Sequence, residues 1–269
     1  MQGGMEKTAG RIDMTDQQTA CPPYPWEPFN PIRAWKAFWG LVGDRDDTRY
    51  VFAFFRAVNG RSMGHIVNRF ANSDFGRSQI EDRTRFANVM LDRKTLESHG
   101  RGTFAAAYLH YLDTENLNPL GVHEAAVENA PELYAQLEAE YPEFASMTYT
   151  LHLAHDLHHV LTGYGRDPLG EALLLTFNGN QNGTRGSRLL GMFAGLRIRS
   201  EIWQWPVGRM MANARRMARE SRDLVTTDLT QYLHLPLEEA RARLNLVPDP
   251  LYREVRDTWT GPEPVSAKA

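Results

Sequence analysis

The chain holds one cysteine, Cys21, in 269 residues. A lone thiol cannot close an internal disulfide, and it cannot supply the set of thiolates that a cysteine-based zinc site needs. A reducing, cytoplasmic setting fits that usage. Long apolar runs are missing as well: no stretch approaches the roughly 18–20 residues that span a bilayer. The first twenty residues mix Glu6, Asp13 and Asp16 with Lys7 and Arg11 and contain no apolar run. They therefore match neither a secretory signal nor an acid-poor transit peptide. Charge of one sign is also scarce, with a net −3, so no basic field points to nucleic acid. Any membrane contact is expected to be peripheral, from the side.

What is present reads as helix almost throughout. Pro22, Pro23, Pro25 and Pro28 rule out a regular helix at the start, because each fixes φ and lacks an N–H. Residues 1–30 are therefore expected to be an extended or disordered lead-in. From Arg33 to Val42, Trp35, Phe38, Trp39 and Val42 recur at spacings of three and four, one face of a helix. Asp46 or Asp47 can cap the next helix, which ends at Asn59-Gly60. Further helices are expected over Phe104–Leu112, from Pro131, from Pro142 to Thr162 with a stop at Gly163, behind Asp167-Pro168, from Pro206 to about Ser221, and from Pro236 through Leu244. No alternating strand, hairpin signal or internal repeat is evident. The fold class is all-α: a single-domain helical bundle over 31–254, with a C-terminal tail at 255–269.

Four of the nine histidines fall between 152 and 159. On a helix with about 100° per residue, His159 lies about 40° from His155 and Asp156 about 100° from it. Leu153, Leu157, Val160 and Leu161 gather on the opposite side. His155 and His159 stand one turn apart, a spacing that aims two imidazoles at one point. Asp156 is beside them, and the reversal from Gly163 to Gly170 can bring Glu171, in the next helix's first turn, back toward them. Two imidazoles with one or two carboxylates suit a divalent ion, zinc first, with manganese and ferrous iron open. A solvated polar face accounts for the histidine pair equally well. Glu171 also complements the positive end of its own helix. His158 points away, and His152 is open between a supporting partner, a spare ligand and surface.

The pattern His155-Asp156-x-x-His159, eleven residues, Glu171 resembles the signature of the coenzyme-Q biosynthesis protein 4 family. So do Leu161-Thr162-Gly163 and Leu169-Gly170-Glu171 around it, Gly102-Thr103-Phe104 through Tyr108, Asp46-Asp47-Thr48 through Gly60, and Pro236 to Pro248. The likeness spans about residues 35 to 252. The loop Tyr164-Gly165-Arg166-Asp167-Pro168 departs from the family's usual one. The resemblance implies a metal held by His155, Asp156, His159 and Glu171, with Asp156 and Glu171 also serving catalysis. It implies oxidative removal of the ring C1 carboxyl of a prenylated aromatic head group, with a hydroxyl left in its place. It further implies association with other quinone-biosynthesis enzymes at the inner membrane's surface.

A prenyl tail needs an apolar groove, and Leu189 to Ile198 offers one, with Leu190, Phe193, Leu196 and Arg197 as candidate contacts. Seven arginines between 197 and 222 outnumber two glutamates there and lie beside Trp203 and Trp205, a pattern that suits an anionic membrane surface. Ordinary core and a solvated basic face are the plain alternatives for these two stretches. Two other functions compete with the enzyme. One is a non-catalytic prenyl-lipid-binding scaffold with a structural metal. The other is a metal hydrolase of the helical phosphohydrolase kind, with His110 and His123 as added ligands. Self-association into a homo-oligomer is compatible with all three.

Overall fold

The computed structural model describes residues 28–43 and 48–260. The expected caps Asp46 and Asp47, most of the proline-rich lead-in, Cys21 and the end of the C-terminal tail lie outside the described residues. Within them are fifteen α-helices. The first nine are α1 Pro31–Gly43, α2 Thr48–Asn59, α3 Ser62–Asn72, α4 Asp74–Glu81, α5 Thr84–Leu91, α6 Arg93–Ser98, α7 Phe104–Glu115, α8 Gly121–Asn129 and α9 Pro131–Glu140. Then come α10 Pro142–Thr162, α11 Pro168–Asn182, α12 Arg185–Glu201, α13 Val207–Glu220, α14 Leu237–Arg243 and α15 Pro250–Thr258, with a 3-10 turn at Leu229–Tyr232 before α14. The described residues contain no strand. A single bridge joins Thr103 to Pro236, where Phe104 N–H donates to Leu235 O at 2.8 Å and ties the start of α7 to the approach to α14. The fold is all-α.

Helix α10 is the axis, packed by α3, α4, α5, α7, α8, α9, α11 and α14. Its ends are written locally. Pro142 takes the first helical position, where the missing N–H costs nothing, and Gly163 leaves the helix at φ 75°. Gly163 N–H donates to His159 O at 2.9 Å, which closes the last turn. Leu153, Leu157 and Leu161 are 0–1% exposed and anchor the main core together with Phe104, Tyr108, Leu169, Leu173 and Phe177. Each such side chain contributes about 1.5–3 kcal/mol by leaving water.

The division of α10 into a polar and an apolar stripe is not what burial follows. Asp156, His158 and His159 are buried too, at 7%, 3% and 1% exposure. Polar groups inside a fold must find partners: His158 finds Asn178 on α11, and His159 finds the Tyr164 carbonyl in the turn before it.

A second, smaller cluster joins α1 and α2 to α12 through Ala34, Ala37, Phe54 and Val58, with Phe38 and Phe193 against it. The aromatic stripe of α1 does not turn inward as a whole. Trp35 and Trp39 remain 62% and 51% exposed, and it is Ala34 and Ala37 that are buried. The arginine-rich stretch is two helices, α12 and α13, parted by Ile202–Pro206. Trp203 is 79% exposed, while Trp205 is buried and meets Trp259 edge to face at 5.0 Å.

Candidate metal centre

Three chain segments build the site. Helix α10 places His155 and His159 on successive turns, with Asp156 next to them. The turn from Gly163 to Asp167 reverses the chain, and α11 begins at once. The Asp167 carboxylate accepts from the N–H groups of Leu169 at 3.2 Å and Gly170 at 3.1 Å, and Pro168 fills the first helical position. That cap fixes where Glu171 emerges. Helix α7 supplies the facing wall, with the ring of Tyr111 stacked on His159 at 5.5 Å and 23°.

His155, Asp156 and His159 each offer a ligand atom, all within 4.8 Å of one another. His159 Nε2 lies 3.2 Å from His155 Nε2 and 3.5 Å from Glu171 Oε1. Tetrahedral coordination with bonds of 2.0–2.1 Å separates neighbouring ligand atoms by about 3.3 Å. The donor set and its spacing therefore fit a divalent ion of the zinc class. The tautomer of His159 is fixed by its other side: Nδ1 donates to the Tyr164 carbonyl at 2.9 Å, because a carbonyl can only accept. Nε2 is left with a free lone pair facing His155 and Glu171. Such outer hydrogen bonds orient metal-binding histidines and raise their basicity.

Burial sets the charges. It pulls His155 down to about 4 and His159 well below the ordinary histidine range, so both rings are neutral, as ligands must be. It pushes Asp156 up to about 6 and Glu171 up to about 8, against the opposing pull of Arg166. Both carboxyls thus lack enough positive charge around them, a deficit that a bound cation relieves. Glu171 keeps 37% of its side-chain surface accessible, and it forms the mouth of the recess where His159 forms the floor.

The turn is held from outside. Tyr252 OH accepts from Gly165 N–H at 2.7 Å and donates to Asp167, and Arg256 stands 3.5 Å from the same carboxylate. Buried Arg241 donates to Leu161 O at 3.0 Å and Val160 O at 2.7 Å, covering carbonyls that the end of α10 leaves unpaired.

The other histidines have separate partners. His158 faces Asn178 of α11 at 3.0 Å. His152 meets His123 at 3.4 Å, and His110 is exposed on α7, so neither His110 nor His123 joins the triad. Of the proposed tail contacts, Leu190 and Phe193 pack on the α1–α2 side of α12, with Phe193 at 5.0 Å from Phe38. Leu196 is 56% exposed, and Arg197 pairs with Glu201 at 2.7 Å. An apolar groove of about 350 Å³ lies elsewhere, lined by Phe52, Phe55, Met63, Leu133, Leu137 and Phe144, with His152 in its wall. Neither this groove nor Tyr111 is evident from the sequence, where Arg166 stands out only as part of the divergent loop. Tyr108, one turn before Tyr111, belongs to the segment that carries the resemblance, and no spacing links Tyr111 itself to the histidines of α10.

Known proteins share this arrangement of chain. The family model described as Coenzyme Q (ubiquinone) biosynthesis protein Coq4 matches residues 34–250. The ubiquinone biosynthesis protein COQ4 homolog, mitochondrial, of Bos taurus is 25% identical over 191 residues, covering 71% of this chain and 68% of that one. The Mus musculus homolog is 25% identical, covering 72% and 71%, and the COQ4 protein of Meyerozyma guilliermondii is 26% identical, covering 72% and 58%. A crystal structure from Nostoc punctiforme, of a protein assigned provisionally to ubiquinone biosynthesis, superposes with a TM-score of 0.57 at 15% identity. It covers 81% of this chain and 98% of that one, a likeness of fold.

Proposed function

Because the chain belongs to the Coq4 family of coenzyme Q (ubiquinone) biosynthesis proteins, and so has a role in ubiquinone biosynthesis, we propose that its recess binds the aromatic head group of a prenylated precursor beside a divalent ion. The observation that carries this reading is the grouping of ligand atoms from His155, Asp156 and His159 within 4.8 Å of one another, with Glu171 Oε1 3.5 Å from His159 Nε2. The reaction is replacement of the ring C1 carboxyl by hydroxyl. The C1–carboxyl bond breaks, carbon dioxide leaves, an oxygen atom joins C1, and two electrons pass to an oxidant of the dioxygen class.

His155, Asp156, His159 and Glu171 would hold the ion, which when bound, most simply as zinc, supplies Lewis acidity to a ring oxygen or carboxylate. Tyr111 and the Tyr164 carbonyl keep His159 from rotating, and Glu171 stands at the mouth, where substrate would arrive. The apolar groove beneath His152 is the place we assign to the prenyl tail, since its volume lies in the range of ligand pockets. The stretch containing Leu190, Phe193, Leu196 and Arg197 serves as a lesser contact.

Work at a membrane surface, among other quinone-biosynthesis enzymes, goes with this substrate. No helix among the described residues is long and apolar enough to cross a bilayer. Support for peripheral contact comes from the exposed apolar row Phe29, Ile32, Trp35 and Trp39 on and before α1.

A scaffold that merely presents the lipid, its ion structural, is the second reading, and the groove alone would serve it. Glu171→Gln separates the two. The swap keeps shape and helix propensity while removing one ligand charge. The expected outcome is a folded protein, its melting temperature lowered by a few degrees, that fails to restore ubiquinone in a cell lacking its own family member. Normal ubiquinone in that assay, with the metal retained, favours the scaffold.

A further inference from the structure

Two side chains beside the recess are not used by an ion. Arg166 sits on the turn that departs from the family's usual loop, and its guanidinium reaches across to α7, one helical turn from Tyr111. Its acidic neighbour Glu115 is 3.9 Å away, at the outer limit of an ion pair, and is 38% exposed. The guanidinium is therefore only loosely engaged, with donors to spare. Tyr111 is the second. Its ring is locked against His159, yet its hydroxyl is shielded from solvent and has no hydrogen-bond partner. A buried donor without an acceptor calls for an explanation.

Charge counting points the same way. Asp156 and Glu171, ionised, cancel a divalent ion, and the neutral histidines add nothing. Arg166, with Glu115 only at the outer limit of pairing, keeps a positive charge beside a recess walled by Tyr111, whose O–H donor is unsatisfied. What complements both is an oxyanion. A phenol offers one O–H donor, and that of Tyr111 is not yet used. Arg166 and Glu171 are the accessible members, at 26% and 37% side-chain exposure, while Asp156 and His159 are buried. The recess is entered on the arginine side.

We propose that Arg166 and the Tyr111 hydroxyl form the subsite that receives the carboxylate of the substrate's aromatic ring, and so select acidic over neutral head groups. This rests on the head-group reading above and adds the residues that make it specific. Arg166 acts by charge from the mouth, and Tyr111 acts by one directed hydrogen bond from within.

The test uses the zinc-loaded full chain and two probes, 3-geranyl-4-hydroxybenzoic acid and its methyl ester, titrated calorimetrically. The wild-type protein is expected to bind the acid more tightly than the ester. Arg166→Gln and Tyr111→Phe should each weaken the acid about ten- to hundredfold, the value of a hydrogen bond to a charged group. Ester affinity and zinc content should stay at wild-type level in both. Acid binding unchanged in both variants overturns the subsite while leaving the head-group reading intact. Equal losses for acid and ester overturn it as well, because they mark a general disturbance of the recess. A wild-type protein that takes up neither probe removes the head-group reading, and the subsite with it.

Discussion

A single bond defines the character of the recess at the scale of residues, that between His159 Nδ1 and the Tyr164 carbonyl. It decides which imidazole nitrogen is free, and the free one faces His155 and Glu171. His159→Ala removes a ligand from the centre of the set. Zinc affinity is expected to fall by more than about a hundredfold, beyond the loss usual for a supporting residue. Elemental analysis of protein purified without chelator should give about one ion per wild-type chain and none for the variant. Full occupancy in the variant would sink the assignment of these ligands. His159→Gln is the companion variant, since it fills more of the space left by the ring and limits loss of stability. At this scale the sequence was informative where the relation is local. The spacing of His155 and His159 is a property of any helix and needs no tertiary knowledge. Tyr111 and Arg166 were not legible, because their nearness to the recess is created by α7 packing on α10 and by the path of one turn.

Elements were legible where their ends carry their own chemistry. Pro142 and Gly163 delimit α10 where the sequence places them, and Asp167-Pro168 opens α11. By their prolines, Val247-Pro248-Asp249-Pro250 read as the stop of the preceding helix, yet Asp249 also caps another that Pro250 begins, the Asp249 carboxylate accepting from Leu251 N–H at 3.0 Å. The same dipeptide logic that opens α11 therefore also opens α15. The stripe pattern of α10 misled for a different reason: its polar residues are buried against partners that no periodicity reveals.

The contact between the turn and α11 makes its own prediction. A Cβ on Gly170 would lie 2.1 Å from Gly165 O, a backbone atom that cannot swing aside. Gly170→Ala must therefore shift the first turn of α11, which carries Glu171. We expect a folded protein destabilised by about 1–3 kcal/mol, as for overpacking. Its zinc affinity should drop about tenfold or more although no ligand is altered. Zinc titration beside thermal melts checks this, and unchanged affinity would show that Glu171 is placed by something other than this close approach.

Across the whole molecule, polar and apolar surfaces are unevenly spread. Ile32, Trp35 and Trp39 stand exposed along α1, with Trp35 and Trp39 edge to face at 5.5 Å, and Leu196 and Met192 are exposed on α12. Arg209, Arg216 and Arg219 are carried by α13, whose apolar side, Met210, Met211, Ala214 and Met217, is buried in the main core. Apolar anchors and basic helix together suit adsorption to an anionic lipid surface, where each basic residue near the surface is worth about 1 kcal/mol. Vesicles rich in phosphatidylserine should carry the protein upward in a flotation gradient at low salt and release part of it as salt rises. A double variant, Trp35→Ser with Trp39→Ser, should reduce flotation at both salt levels. Absence of cofloating wild-type protein at low salt would exclude this surface as a lipid contact.

The turn that closes the recess is gripped by residues far along the chain: Arg241 on the last carbonyls of α10, Tyr252 on Gly165 and Asp167, and Arg256 beside Asp167. Translation is directional, and helices can form as they leave the ribosome. Helices α10 and α11 are thus made while every one of these outer ties is still unsynthesised, with Tyr252 following Gly165 by 87 positions. A nascent chain can hold all four ligands and still lack the grip that sets their spacing. The ties that hold the recess in the geometry described here are complete only once residues 241–256 have been made, which would place capture of the proposed ion after most of the chain has emerged.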